Sequence, residues 1–171
     1  STSEKKKAVE ALMFLTEKRD GRIKGQQVYN GKPTREWLSR EDSASPTASL
    51  ESIFLTAAID AREKRDIMTV DVPNAFIQTP LEYKEGDERI IMKITGVLID
   101  MLLEVDPTKY KDFVVLEKGK RVLYVQVMRA VYGMSQAALL WYKKFRKDLE
   151  EIGFVFNPYD PCVANKIVNG R

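Results

Sequence analysis

The chain has 171 residues, 44% of them hydrophobic and 31% charged, with 28 basic against 25 acidic side chains, no histidine and one cysteine. That is enough apolar material for one sizeable core, and the net charge of +3 does not by itself mark a nucleic-acid binder. Without histidine there is no Ser-His or Cys-His nucleophile and no imidazole metal site, and a lone Cys162 excludes an internal disulfide framework and a cysteine zinc site.

Hard oxygen ligation is what remains for a metal. An intracellular, reducing, cytoplasmic setting is expected rather than secretion. Lys93, Asp100 and Glu104 interrupt the longest apolar stretch and the N-terminus lacks the apolar core of a signal peptide, so a soluble protein without a membrane partner is expected.

In chain order, Ala11 to Leu15, the turn pair Asp20-Gly21 and Arg22 to Tyr29 read as a β-hairpin behind a short helical turn, in preference to a helix from Glu4 to Lys18 capped by Ser3. Asn30 to Pro46 is polar and turn-rich and reads as an ordered surface loop. Ser45-Pro46 then opens a helix whose Leu50, Ile53, Phe54, Ala57 and Ala58 recur at helical spacing to about Arg65, a face expected to pack on a sheet. Ile67 to Val72 reads as a short strand with Asp71 at its far end.

Arg89 to Ile94 reads as another strand. Val97, Leu98, Met101, Leu102 and Val105 form one helical face that Pro107 interrupts. Val114 to Leu116 and Val122 to Val127 flank Lys118-Gly119-Lys120 as a second hairpin. The clearest helix runs from about Gln136 to Ile152, with Ala138, Trp141, Tyr142, Phe145, Leu149 and Ile152 on one stripe and Gly153 past its end. Phe154 to Phe156 and Val163 to Val168 are short strand candidates, and Asn169-Gly170 is a strong hairpin-turn pair. The alternation predicts an α+β fold, with helices packed on a mixed or antiparallel sheet.

Most local signals have ordinary readings. Basic runs at 5–7, 118–121 and 143–147 are the usual composition of solvated faces. Gly25 with Gly31-Lys32 is not a phosphate loop, because the spacing is one residue too long and Pro33 stands where a magnesium-binding hydroxyl belongs. A single Asp at a strand end is more often a turn residue than a ligand, Phe76, Trp141 and Tyr142 are more often core, and Gln136 reads equally well as a polar residue beside a turn.

The ordered set changes that weighting. Leu50-Glu51-Ser52-Ile53, Asp71-Val72-Pro73-Asn74-Ala75-Phe76, Tyr132-Gly133-Met134-Ser135-Gln136-Ala137, Trp141-Tyr142 and Pro158-Tyr159-Asp160-Pro161-Cys162 follow one another in an order that resembles the reverse transcriptase of copia-type LTR retrotransposons across nearly the whole chain. The resemblance implies the fingers and partial palm of an RNA-directed DNA polymerase, with about 11–48 forming a fingers-like hairpin and loop and about 49–171 a partial palm with interleaved fingers elements. It implies magnesium held by the Asp71 carboxylate and the Val72 carbonyl. Phe76 falls where the family has an aromatic gate on the incoming sugar and Gln136 where a glutamine lies near nucleotide and template, and Ala75 and Lys24 complete the implied nucleotide-binding set.

The implied partners are an RNA or DNA template-primer and deoxynucleoside triphosphates. The implied chemistry is in-line attack of a primer 3′-hydroxyl on the α-phosphate with loss of pyrophosphate. The sequence departs from the family at Gln26, where a triphosphate-facing arginine is usual, at Pro73, where lysine is usual, and at Ser135, Ala138 and Leu139. The family's paired-aspartate hairpin is expected just beyond Asn169-Gly170, so the 171-residue chain is expected to hold one of three carboxylates and not to polymerise alone. A non-catalytic nucleic-acid-binding module is the other reading; oligomeric state is left open.

Overall fold

The computed structural model describes residues 2–34 and 38–170. Part of the loop expected between Asn30 and Pro46, residues 35–37, lies outside them. A short helix α1 (Thr2–Lys7) leads into β1 (Val9–Glu17), which pairs antiparallel with β2 (Ile23–Tyr29) from Ala11↔Tyr29 to Glu17↔Ile23. The hairpin is therefore formed as the Asp20-Gly21 signal requires, though its connection is the wider loop 18–22. Gly21 takes φ +78°, and Asp20 accepts the Arg22 backbone N–H at 3.2 Å and its guanidinium at 2.6 Å.

After the short helix α2 (Arg40–Ser43) comes α3 (Leu50–Glu63), begun by Ser49, whose hydroxyl accepts the Ser52 N–H, and ended by Lys64 in the left-handed conformation. The helix thus starts later than the Ser45-Pro46 signal suggested, because the capping hydroxyl that satisfies a first-turn donor belongs to Ser49. Contrary to expectation, α3 packs on no sheet. None of its residues is buried, and no other element contacts it extensively.

The strand expected over Ile67 to Val72 is likewise absent from the sheet, so Asp71 is not at a strand terminus. Apolar β-branched residues show readiness to pair, but pairing needs a neighbouring edge, and none lies beside this segment among the described residues. Ile67, Met68 and Val70 are 72%, 83% and 72% exposed.

β3 (Ile91–Thr95), α4 (Val97–Val105) and α5 (Pro107–Tyr110) follow. Pro107 opens a new turn rather than simply ending the preceding helix: it takes the first position, where a missing N–H costs nothing, behind Asp106 as cap. β4 (Val115–Glu117) and β5 (Lys120–Gln126) form the second expected hairpin, and Lys118-Gly119, at φ +49° and +77°, is the two-residue turn that strand twist favours.

The sheet order is β2-β1-β3-β5-β4, antiparallel except for β1 against β3, where Val9 and Met92 are partners. The sheet is therefore mixed, one of the two forms expected, and its parallel pair joins Val9 to Met92 from distant parts of the chain. α6 (Ala137–Glu151) and a small two-stranded sheet of β6 (Val155–Phe156) and β7 (Ala164–Asn165) complete an α+β architecture; β7 is shorter than the expected 163–168.

One core lies on this sheet. Ile99 from α4, Leu123 from β5 and Ile94 from β3 are 0 to 4% exposed, joined by Ala130, Met134 and Ala137 from the chain entering and beginning α6. At its edge, two backbone segments cross in contact. Tyr29 donates its N–H to the Tyr132 carbonyl at 2.8 Å; a Cβ on Gly133, at φ +89°, would fall 1.9 Å from the Tyr29 oxygen, and one on Gly31 1.9 Å from the Gly133 oxygen. Only glycine fits at both positions.

Candidate functional site

Asp71 lies between two anchors, α3 before it and the 3-10 turn Ala75–Gln78 after it. The second anchor is well built. Asn74 enters it in the left-handed conformation at φ +52°, a geometry Asn tolerates. The Gln78 amide donates to the Pro73 carbonyl at 2.9 Å, Arg129 donates to the Ile77 carbonyl at 3.2 Å, and Ala130 N–H donates to the Thr79 carbonyl at 2.9 Å. α6 packs against the turn. The turn therefore presents its residues from a fixed base.

Phe76 is half-buried, and its ring meets that of Tyr132 at 4.8 Å between centroids, tilted by 57°. Tyr132 of that pair borders a small cavity of about 190 Å³ between β2 and the 3-10 turn, lined also by Lys24, Gln26, Asn74 and Ile77 among others. Compact ligand sites run to about 300–1,000 Å³, so this cavity is too small to enclose an entire nucleotide. Among the described residues its single cation is the exposed Lys24, and Gln26 contributes a neutral amide.

Asp71 is exposed, Val72 and Ala75 half-buried. Asp71 makes no hydrogen bond or ion pair among the described residues, and among those residues no three acidic, cysteine or histidine side chains gather to hold a metal ion. The Asp71 carboxylate and the Val72 carbonyl are oxygen donors of the kind magnesium takes, and magnesium does bind through one or two carboxylates when substrate phosphates and water supply the rest. Two such donors fit an ion delivered with a triphosphate. They do not fit a resident pair of ions.

The structure thus brings Lys24, Asn74, Phe76 and Tyr132 to one place, with Asp71, Val72 and Ala75 on the adjoining chain. It does not bring Gln136 there. Gln136 is on the other side of the loop, between two larger grooves of about 920 and 850 Å³ that it shares with α6 on one side and with β1 on the other. Two buried hydroxyls in these grooves, Thr79 Oγ1 and Ser135 Oγ, have no hydrogen-bond partner among the described residues. The contact of Tyr132 with Phe76, an aromatic 56 positions earlier, leaves no local trace in the sequence.

The basic runs are partly neutralised within the fold. Lys144, Arg146 and Lys147 each pair with an acid one helical turn on, Asp148, Glu150 and Glu151, and Lys7 meets Glu88 at 2.6 Å. No helix among the described residues is long and apolar enough to cross a membrane.

Comparison with known proteins gives distant relatives of one kind. The chain is 26% identical over 134 residues to a retrovirus-related Pol polyprotein from transposon RE2 of Arabidopsis thaliana, and equally to that from transposon RE1 of the same plant. It is 24% identical over 154 residues to the retrovirus-related Pol polyprotein from transposon TNT 1-94 of Nicotiana tabacum. These matches cover 78 to 87% of this chain but only 8 to 10% of the relatives, so the chain spans about a tenth of their length or less. No family model and no solved structure matches. The similarity supports a retrotransposon polyprotein origin.

Proposed function

We propose that this distant relative of transposon Pol polyproteins is a piece of a reverse transcriptase, an RNA-directed DNA polymerase, and that the face around Phe76 and Tyr132 receives the sugar and triphosphate of an incoming deoxynucleotide. The observation that supports this most is the convergence of Lys24, Asn74 and Tyr132 on one cavity, with Phe76 against Tyr132 and with Asp71 and Val72 just before the 3-10 turn in the chain. In this reading Lys24 meets a phosphate, the Phe76–Tyr132 pair forms an apolar floor under the sugar, and Asp71 with the Val72 carbonyl completes the coordination of a magnesium ion that the triphosphate brings. A template-primer is the second substrate.

Positioning and charge neutralisation are what phosphoryl transfer asks of a protein, and with one carboxylate in place the 171-residue chain binds but does not polymerise. The test has two arms. Amide resonances of the chain are followed as magnesium and a deoxynucleoside triphosphate are added at millimolar concentration, and primer extension is assayed on an RNA template. Shifts at Lys24, Asn74 and Tyr132 that disappear in Asp71→Ala are expected, without extension. No shift at any of these residues would sink the nucleotide reading, and extension abolished by Asp71→Ala would show that the chemistry is complete.

A further inference from the structure

The motif Pro158-Tyr159-Asp160-Pro161-Cys162 has no part in the site just described, yet Asp160 is only 6% exposed, the one acidic side chain buried among the described residues. Its carboxylate is fully engaged. Oδ2 accepts the Ser49 backbone N–H at 2.9 Å and Oδ1 accepts the Cys162 N–H at 2.9 Å. The Ser52 hydroxyl also bonds it, and the Ser49 hydroxyl reaches Ser52 Oγ at 2.9 Å. These bonds, Ser52 first, then Ser49 and Cys162, hold the Asp160 carboxyl well below the ordinary range, at about 2. A buried charge so fully satisfied is expensive to disturb.

The surrounding loop is itself fastened to the body of the protein. Asn157 accepts the Tyr159 N–H at 2.8 Å, Asn157 N–H donates to the Val163 carbonyl at 2.8 Å, and Tyr142 of α6 donates its hydroxyl to the Pro161 carbonyl at 3.0 Å. On the other side, the carboxylate grips the first turn of α3, which has no buried residue and no extensive contact elsewhere. Asp160 therefore links the loop that α6 fixes to the start of α3.

We infer that Asp160 is a positioning residue: by holding the start of α3 against the loop that α6 fixes, it sets the upstream end of the segment on which Asp71 is suspended, while the 3-10 turn Ala75–Gln78 sets the downstream end. The role as a support for a metal-binding carboxylate rests on the proposed function; the mechanical claim does not.

The experiment compares the 171-residue chain with Asp160→Asn, which keeps size but removes the charge and one acceptor, and with Asp160→Ala. Hydrogen exchange and amide resonances are read together. In Asp160→Asn, exchange across residues 50–63 is expected to quicken by at least about tenfold, and the Asp71 and Val72 resonances to shift or broaden. Residues 91–95 and 120–126 are expected to be unchanged, which separates positioning from general loss of fold.

If Asp160→Ala unfolds the chain, the Asn variant still decides. Unchanged exchange over 50–63 overturns the inference, and so does a loosened α3 with unmoved Asp71 and Val72. Magnesium and a deoxynucleoside triphosphate are then added to each variant. Weaker binding in Asp160→Asn with no further loss in the Asp71→Ala background shows that Asp160 acts through Asp71. If the unmodified chain binds no triphosphate, the reading of the site fails while the exchange result still judges the anchor.

Discussion

The five-stranded sheet and the arm made of α3 and the segment to Val70 are built from similar apolar residues and meet opposite fates. On the sheet side, Ile99, Leu123 and Ile94 are 0 to 4% exposed; on the arm, Phe54, Leu55 and Met68 are 63 to 83% exposed. Helical spacing in α3 and α4 is equally clear in the sequence, yet only α4 has β3 and β5 beneath it. Periodicity says that a face seeks cover. It does not say what covers it. The sheet is held by burial and the arm by a cap and a carboxylate, so the two regions should respond to different perturbations.

The sharpest break of the sheet side is Gly133→Ala. A methyl placed 1.9 Å from the Tyr29 oxygen at φ +89° combines backbone strain with a clash, for about 4 kcal/mol of lost stability in urea unfolding. Ile99→Ala should cost about 3 kcal/mol by the same measurement, the ordinary price of a cavity under a fully buried side chain. For the arm, Ser49→Ala removes the hydroxyl that caps α3, and about 1 kcal/mol of local stability should be lost as faster exchange over 50–63 with the global midpoint unmoved. Phe54→Ala should change stability by less than about 0.5 kcal/mol. A loss there comparable to that of Ile99→Ala would mean that the arm is packed in solution and that the contrast is wrong.

Much of this organisation was legible in local chemistry. The glycine of Lys118-Gly119-Lys120 marks one hairpin, Asp20-Gly21 marks the other, and Gly153 beyond α6 stops a helix whose face is plain in the sequence. What escaped depends on partners far along the chain. The parallel pairing of β1 with β3, the missing partner of Ile67 to Val72 and the contact of Phe76 with Tyr132 all require knowing which segments meet, and a strand-like run reports its propensity without its neighbour. The ordered motif set singles out Asp71, Val72, Ala75, Phe76 and Gln136 without saying how they are arranged, and in the fold Gln136 lines different grooves from the cavity beside Tyr132.

The crossing of residues 29–31 with 132–133 has a genetic consequence. Each glycine there faces backbone: the Gly133 position meets the Tyr29 carbonyl, and the Gly31 position meets the Gly133 carbonyl. Damage in a core can be repaired by trimming the side chain that collides, but a peptide oxygen cannot be trimmed by any substitution. Second-site suppressors of a replaced Gly31 or Gly133 should therefore not arise among the contacting residues. Reversion at the same codon is the route left open, and the two positions should behave in a mutational library as a pair of isolated vetoes rather than as a coevolving pair.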